Sequence, residues 1–221
     1  MNYKYVIGID EAGRGPLAGP VAVGAVLFSK NEYKKFKFHL NGKFKSELNI
    51  LKDSKKLSKN KREKWFKFME EKQNFTQRLF FGKIKKDFRF LVVFSSAKII
   101  DRRGINCAIN TAIKKIFSKL SANEDECLIL LDGALKAPSV FLNQKTIIKG
   151  DEKEPIISLA SIVAKVKRDR KMISLSKKYP EYNFEKHKGY GVKAHYKMIK
   201  KYGICVLHRK SFLKNFLKKE I

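Results

Sequence analysis

The sequence predicts an α/β fold, a mixed sheet with helices on its faces, followed by a basic and mostly helical tail. Three observations carry this. Short apolar runs near the start are broken by a glycine-rich turn, as paired strands are. One later stretch repeats its apolar residues at helical steps. Beyond the first strands, strand-like and helix-like stretches alternate, the order of a sheet covered by helices. The length of 221 residues suits one domain with an appendage. The expected division is a core over about residues 1–178 and a basic helical C-terminal part over about 179–221. The 67 Leu, Ile, Val and Phe residues are enough to build a core, so a net charge of +29 does not imply disorder.

Residues 5–10 read as a short buried strand ending in two acids. Residues 21–28, rich in Val and Ala, read as a second strand, and the short turn between them predicts a hairpin. Residues 30–49 have weak periodicity and read as a polar connection. Residues 59–72 form a helix candidate with Ser58 as its N-cap. Two apolar stretches follow, 75–82 and 90–94, and the first is expected to be the third strand. Residues 105–120 give the clearest helix, since Ile105, Ile109, Ala112, Ile113, Ile116, Phe117 and Leu120 recur at three- and four-residue steps. Residues 127–131 are a continuous apolar run meeting Asp132-Gly133, hence a buried strand. Residues 146–148 form a short strand before Lys149-Gly150-Asp151. Pro155 opens a long helix over 156–178, and Pro180 stops it. Short helices are predicted near 193–201 and 211–219.

The composition excludes several classes. The longest uncharged run, residues 15–29, is fifteen residues with two prolines and three glycines, short of the ~18 apolar residues of a membrane span. Asp10, Glu11 and Arg14 interrupt the apolar stretch a signal peptide would need, so none is expected. Cys107, Cys127 and Cys205 form no zinc or redox spacing and suit a reducing cytoplasm. Residues 30–67 carry a net +10 and residues 165–221 a net +14, leaving +5 on the other 126 residues. Two basic blocks facing one groove would make a channel for a phosphate backbone. With 41 of the 50 basic residues being Lys, drift in an A/T-rich genome also accounts for part of the excess.

Four acids stand at element ends. Asp10 and Glu11 close the first strand, Asp132 closes a later one, and Asp151 precedes the long helix. Adjacent strand residues point to opposite faces, so Asp10 and Glu11 serve one site only if the chain turns there, as Gly13 and Gly15 permit. Carboxylates gathered at one sheet edge repel one another unless cations bind between them, and hard oxygen ligands suit magnesium or manganese. The alternatives are turn and helix caps, with Asp151 as an N-cap.

With Gly8-Ile9-Asp10-Glu11-Ala12-Gly13-Arg14-Gly15-Pro16-Leu17-Ala18-Gly19-Pro20-Val21 the sequence resembles the ribonuclease HII family, the type 2 ribonucleases H. The resemblance continues in order through Asp53-Ser54-Lys55-Lys56-Leu57-Ser58, Leu131-Asp132-Gly133, Lys149-Gly150-Asp151, Arg168-Asp169-Arg170, His187-Lys188-Gly189-Tyr190-Gly191 and His208-Arg209. It implies an RNase H-like fold, a mixed five-stranded sheet flanked by helices, with a small helical C-terminal part. It implies cleavage of the RNA strand in RNA–DNA hybrids and 5′ of single ribonucleotides in duplex DNA, dependent on divalent metal ions, Mn2+ or Mg2+. The products would carry a 3′-hydroxyl and a 5′-phosphate. Asp10, Glu11, Asp132 and Asp151 match the metal-binding carboxylates. Gly13, Arg14 and Gly15 match the loop that reads the 2′-hydroxyl, the group separating RNA from DNA. Tyr190 matches the tyrosine packed on the adjoining sugar, and Lys55 a phosphate contact.

Other residues receive plainer roles. Asp169, in an Arg-Asp-Arg run, reads as a surface salt-bridge residue. His187 and His208 read as structural hydrogen-bonding groups. Lys165 and Arg168 either contact phosphate or pair with neighbouring acids. Val192 stands where the family more often has Thr, and residues 30–50 are longer and more basic than usual. The expected partners are RNA–DNA hybrid and ribonucleotide-containing duplex DNA, bound by a cytoplasmic monomer, with no membrane partner. The rival readings are a basic RNA-binding protein without catalysis and another nuclease of related fold, such as a resolvase.

Overall fold

Five apolar runs meet in one sheet. The structure, a computed structural model, describes residues 3–41, 57–78 and 87–218. Strands β1 (Tyr5–Ala12) and β2 (Val21–Ser29) pair antiparallel, as the hairpin reading expects. Strand β3 (Phe88–Ser95) adds antiparallel to β2, while β4 (Cys127–Asp132) and β5 (Gln144–Ile147) add in parallel on the other side of β1. The order is therefore β3-β2-β1-β4-β5, a mixed sheet with β1 at its centre.

Two sequence expectations are corrected here. The third strand is not 75–82: helix α2 (Lys59–Arg78) runs through the first part of that stretch, and residues 79–82 lie outside the described ones. The second candidate, within 88–95, forms the strand and pairs with β2 along its whole length. The 30–49 connection is not wholly irregular either. Helix α1 (Lys30–Asn41) occupies its first part, laying Tyr33 and Phe36 against Phe28. That aromatic pair, three residues apart, is a helical signal nearly hidden among lysines.

Four of the remaining helices stand close to their predicted places, α4 (Ile105–Leu120), α6 (Pro155–Ser176), α8 (Lys193–Tyr202) and α9 (Lys210–Leu217), while the short α3 (Ala97–Arg103), α5 (Gly150–Lys153) and α7 (Phe184–His187) were not anticipated. Alternation along each strand sorts the side chains. Ile7, Ile9, Val23, Leu27 and Ile129 pack with the apolar face of α4, whereas Val6, Val26 and Phe28 pack with α6 and α2. Pro155 at the first turn of α6, where a backbone N–H has no helical partner, fits its start.

Helix α6 lies unusually close to the sheet. A Cβ on Gly8 would stand 2.4 Å from the Ile156 carbonyl oxygen, and one on Gly24 would stand 2.4 Å from that of Ala160. Only glycine admits a helix backbone at that distance. Gly24 pairs with Asp10 across β1 and β2, so this approach sets the helix directly beside the first acid. After α6, two small clusters form around the 17–18 turn, one with Met172, Tyr182 and Phe184 and one with Ile199 and Leu213. The last segments of the chain thus pack onto its first loop.

Candidate active site

Parallel pairing of β1 with β4 ends at Ile9 opposite Leu131. The next residues, Asp10 and Asp132, are therefore neighbours on adjacent strands, which lie about 4.8 Å apart. Strand β1 continues through Glu11 to Ala12 with only β2 beside it. No turn separates Asp10 from Glu11, contrary to the condition the sequence suggested. Both line one cleft all the same, because the strand overhangs its parallel neighbour and is open on that side. The cleft has a volume of about 390 Å³ and is lined by Asp10, Glu11, Asp132, Gly13, Arg14, Gly15 and Tyr190, together with Arg62, Ser161 and Lys165.

Asp10 is the chemically strained member. It is 2 % exposed, and burial first, then the Glu11 and Asp132 charges, push its pKa well above the carboxylate range. Hydrogen bonds from the Ser161 side chain and the Glu11 backbone N–H, the latter 2.7 Å from Oδ1, oppose this. Asp10 Oδ2 and Glu11 Oε2 are buried oxygens with no hydrogen-bond partner. Buried carboxylate oxygens are rarely left so, and their chemistry fits a hard divalent cation.

The other acids are engaged as they stand. Glu11 Oε1 receives Arg14 Nε at 2.9 Å, and Arg14 Nη1 reaches Asn106 Oδ1 at 2.8 Å. Asp132 Oδ1 accepts the Gly150 N–H at 2.6 Å, drawing the start of α5 toward β4. Asp151 follows on α5, fully buried, and is not among the residues lining the cleft. Nor is it the helix N-cap, a place held by Lys149. Among the described residues no three acidic, histidine or cysteine side chains are yet drawn together as a metal cage. Three of the four predicted acids share the cleft, and the fourth sits behind it, one residue from the Asp132 hydrogen bond.

The loop after β1 is built to come close. Gly13 has φ of +93°, a left-handed conformation, and a Cβ there would strike the Arg168 side chain at 2.0 Å. Two fully buried arginines hold this loop by its carbonyls. Arg209 donates to the carbonyl oxygens of Gly13, Arg14 and Gly19 at 2.7, 2.9 and 3.0 Å. Arg168 donates to those of Pro20, Ala18 and Lys188. Arg168 is therefore fully buried with Nε and Nη2 turned to carbonyls, and not at the surface where the phosphate contact or ion pair of the sequence reading would be made, while its Nη1 is buried without a hydrogen-bond partner. Burial and the neighbouring Arg168 charge lower the Arg209 pKa to about 9.

Tyr190, 40 % exposed, presents its ring to the cleft with Lys165 Nζ 5.5 Å from the ring centroid and Arg168 Cζ 5.7 Å from it. Lys165 also pairs with Asp169 at 2.9 Å, so Asp169 makes the salt bridge its sequence context suggested. His187 and His208 are hydrogen-bonded to backbone groups, the structural use expected of them. Lys55 lies outside the described residues. Sequence reasoning missed Arg62, Asn106, Ser161 and His195. Ser161 carried a faint signal, a hydroxyl in the small, apolar opening of a helix that must lie on the sheet.

The sheet order and flanking helices define an RNase H-like fold. The crystal structure of ribonuclease H2 from Pyrococcus horikoshii OT3 superposes with a TM-score of 0.66 over 98 % of both chains, at 24 % identity. The family model described as Ribonuclease HII matches residues 7–215. Ribonuclease HII of Caldicellulosiruptor bescii is 42 % identical over 216 residues, 98 % of this chain and 90 % of that one. Ribonuclease HII of Fusobacterium nucleatum is 41 % identical, covering 100 % of this chain and 91 % of its relative. The chain belongs to the ribonuclease HII family and is accordingly a hydrolase with ribonuclease H activity on RNA–DNA hybrids. Among the described residues no helix is long and apolar enough to cross a membrane.

Proposed function

We propose that this enzyme cuts the RNA strand of hybrids and also incises duplex DNA 5′ of a single embedded ribonucleotide, leaving a 3′-hydroxyl and a 5′-phosphate. The supporting observation is the sharing of one cleft by Asp10, Glu11 and Asp132 with Gly13, Arg14, Gly15 and Tyr190. Acids that handle a phosphate stand beside a loop able to approach a 2′-hydroxyl and a ring able to pack on the next sugar. Asp10, Glu11 and Asp132 would hold Mg2+ or Mn2+, with Asp151 adjoining through the Gly150–Asp132 contact. Such ions, when bound, supply charge stabilisation at the phosphate and lower the pKa of water.

The protein groups divide the remaining work. Ser161 and the Glu11 N–H orient the Asp10 carboxylate. Arg14 is positioned to leave Glu11 for the incoming phosphate. Gly13 and Gly15 bring backbone against the ribose, while Arg209 and Arg168 hold that backbone still from behind. Tyr190, with Lys165 over its ring, packs against the deoxyribose that follows the ribonucleotide. Lys55 and the basic blocks contact the phosphate backbone of a hybrid or duplex bound by a monomer. Cysteines that form no disulfide among the described residues and a nucleic-acid substrate suit work in the cytoplasm.

The test is one duplex carrying a single ribonucleotide, incubated with Mg2+, Mn2+ or EDTA. Incision at the 5′ side with either ion and none in EDTA is expected. Cleavage of long hybrids without incision of this duplex would remove the single-ribonucleotide reading.

A further inference from the structure

Behind Tyr190 lies a cluster of two buried histidines, His195 and His208, with half-buried His187 and Cys205, that the reaction described above does not use. His195 is 0 % and His208 2 % exposed. The hydrogen bonds fix where their protons sit. His208 Nδ1 receives the Cys205 backbone N–H at 2.9 Å, so Nδ1 is bare and the proton is on Nε2. That Nε2–H faces His195 Nε2 at 3.1 Å, which must then accept. The His195 proton is left on Nδ1, 2.9 Å from the Tyr190 carbonyl oxygen, to which it donates. The chain of donors runs in one direction only: Cys205 N–H, His208, His195, Tyr190 C=O.

The surroundings hold this order. The His187 ring stacks on His195 with centroids 4.4 Å apart, and the Phe184 ring meets its edge at 5.5 Å. His187 accepts the Gly189 N–H and donates to the Tyr182 carbonyl, so it too is satisfied while neutral. Burial pushes His195 and His208 down to about 4, which keeps both neutral at neutral pH. A proton added to either would put two N–H groups head to head.

The segment that receives this chain needs fixing. Lys188 and Gly189 both have positive φ, 53° and 82°. The Tyr190 N–H donates to the His187 carbonyl, and its own carbonyl accepts from both Val192 N–H and His195. We infer that His195 is a positioning residue, and that the one-way relay from Cys205 through His208 and His195 sets the backbone of Tyr190 and thereby the placing of its ring in the cleft. This rests on the reading of Tyr190 given above.

Two measurements test it. In 15N spectra of the intact protein at neutral pH, His195 should be protonated at Nδ1 alone and His208 at Nε2 alone; the reverse tautomer at either overturns the relay. In kinetics, His195→Phe keeps the ring volume and loses the donor, whereas His195→Asn returns an amide N–H near the lost Nδ1–H. His195→Phe should lose about tenfold in kcat/KM on a single-ribonucleotide duplex, the worth of one hydrogen bond, and less on a long hybrid. His195→Asn should recover most of it. In a Tyr190→Ala background the His195→Phe change should add nothing. Equal losses in both backgrounds, or no rescue by Asn, overturn the positioning role. If Tyr190→Ala alone leaves the preference between substrates unchanged, the reading of Tyr190 fails and the inference falls with it.

Discussion

The surroundings of Asp10 resist its ionisation. Its pKa is raised by burial and by Glu11 and Asp132, so ionisation at neutral pH weakens the metal-free fold, and that loss grows as pH rises through the shifted value. Asp10→Asn should therefore abolish cleavage yet stabilise the protein in EDTA by about 1 kcal/mol, a rise of ~2–4 °C in melting temperature. Added Mg2+ should raise the wild-type melting temperature and leave that of the variant unchanged. The buried histidines give a second expectation. Their pKa values in the fold, about 4, lie below the ordinary 6.5, so their contribution to stability is whole above about pH 6.5 and drains away toward pH 4. The urea midpoint should fall across that window, and His195→Asn should flatten the slope. Asp10, Glu11 and Asp132 were legible because acids closing apolar strands are conspicuous. Arg62, Asn106 and His195 were not, since their importance depends on which face of a distant helix reaches the cleft.

At the scale of elements, the seat of α6 on β1 and β2 governs whether Ser161 meets Asp10. Gly24→Ala would force a methyl group against the Ala160 carbonyl, 2.4 Å away, and lift the helix. A loss of about 1–3 kcal/mol in urea unfolding is expected, with an activity loss beyond that of partial unfolding. Most elements could be read in advance, because the period of α4 and the apolar runs of β1, β2 and β4 are local signals. The third strand could not. Residues 75–82 and 88–95 are both apolar, and the choice was made by long-range pairing: β3 has a free edge of β2 to join. Helix α2 meanwhile buries Phe66 and Met69 and offers Gln73 Oε1 to the Phe90 N–H at 2.7 Å. Helix α1 was obscured in the same way, its two aromatic contacts set among lysines.

Over the whole molecule, most of the net charge of +29 lies in two stretches of sequence that exclude Asp10, Glu11, Asp132 and Asp151, yet each stretch sends one basic residue, Arg62 and Lys165, into the acids' cleft. Hybrid binding should weaken linearly in log–log terms with salt, by about 0.9 per phosphate contacted, and Asp10→Asn should leave that slope unchanged. Filter binding at several salt concentrations in EDTA would check both. The segment 165–221 was legible as a basic block, but not as the clamp on the first loop, because a buried arginine and a surface one look alike in sequence. That clamp has a consequence in time. Arg209 Nη2 meets the Gly13 carbonyl across 196 residues, and ribosomes add about 5–20 residues each second. A nascent chain can thus complete the five strands described and gather its acids while the loop after β1 still lacks its fastener. Fragments broken off before Arg209 would carry the acids but leave that loop without its Arg209 donors, so the loop is fastened only after the sheet is complete.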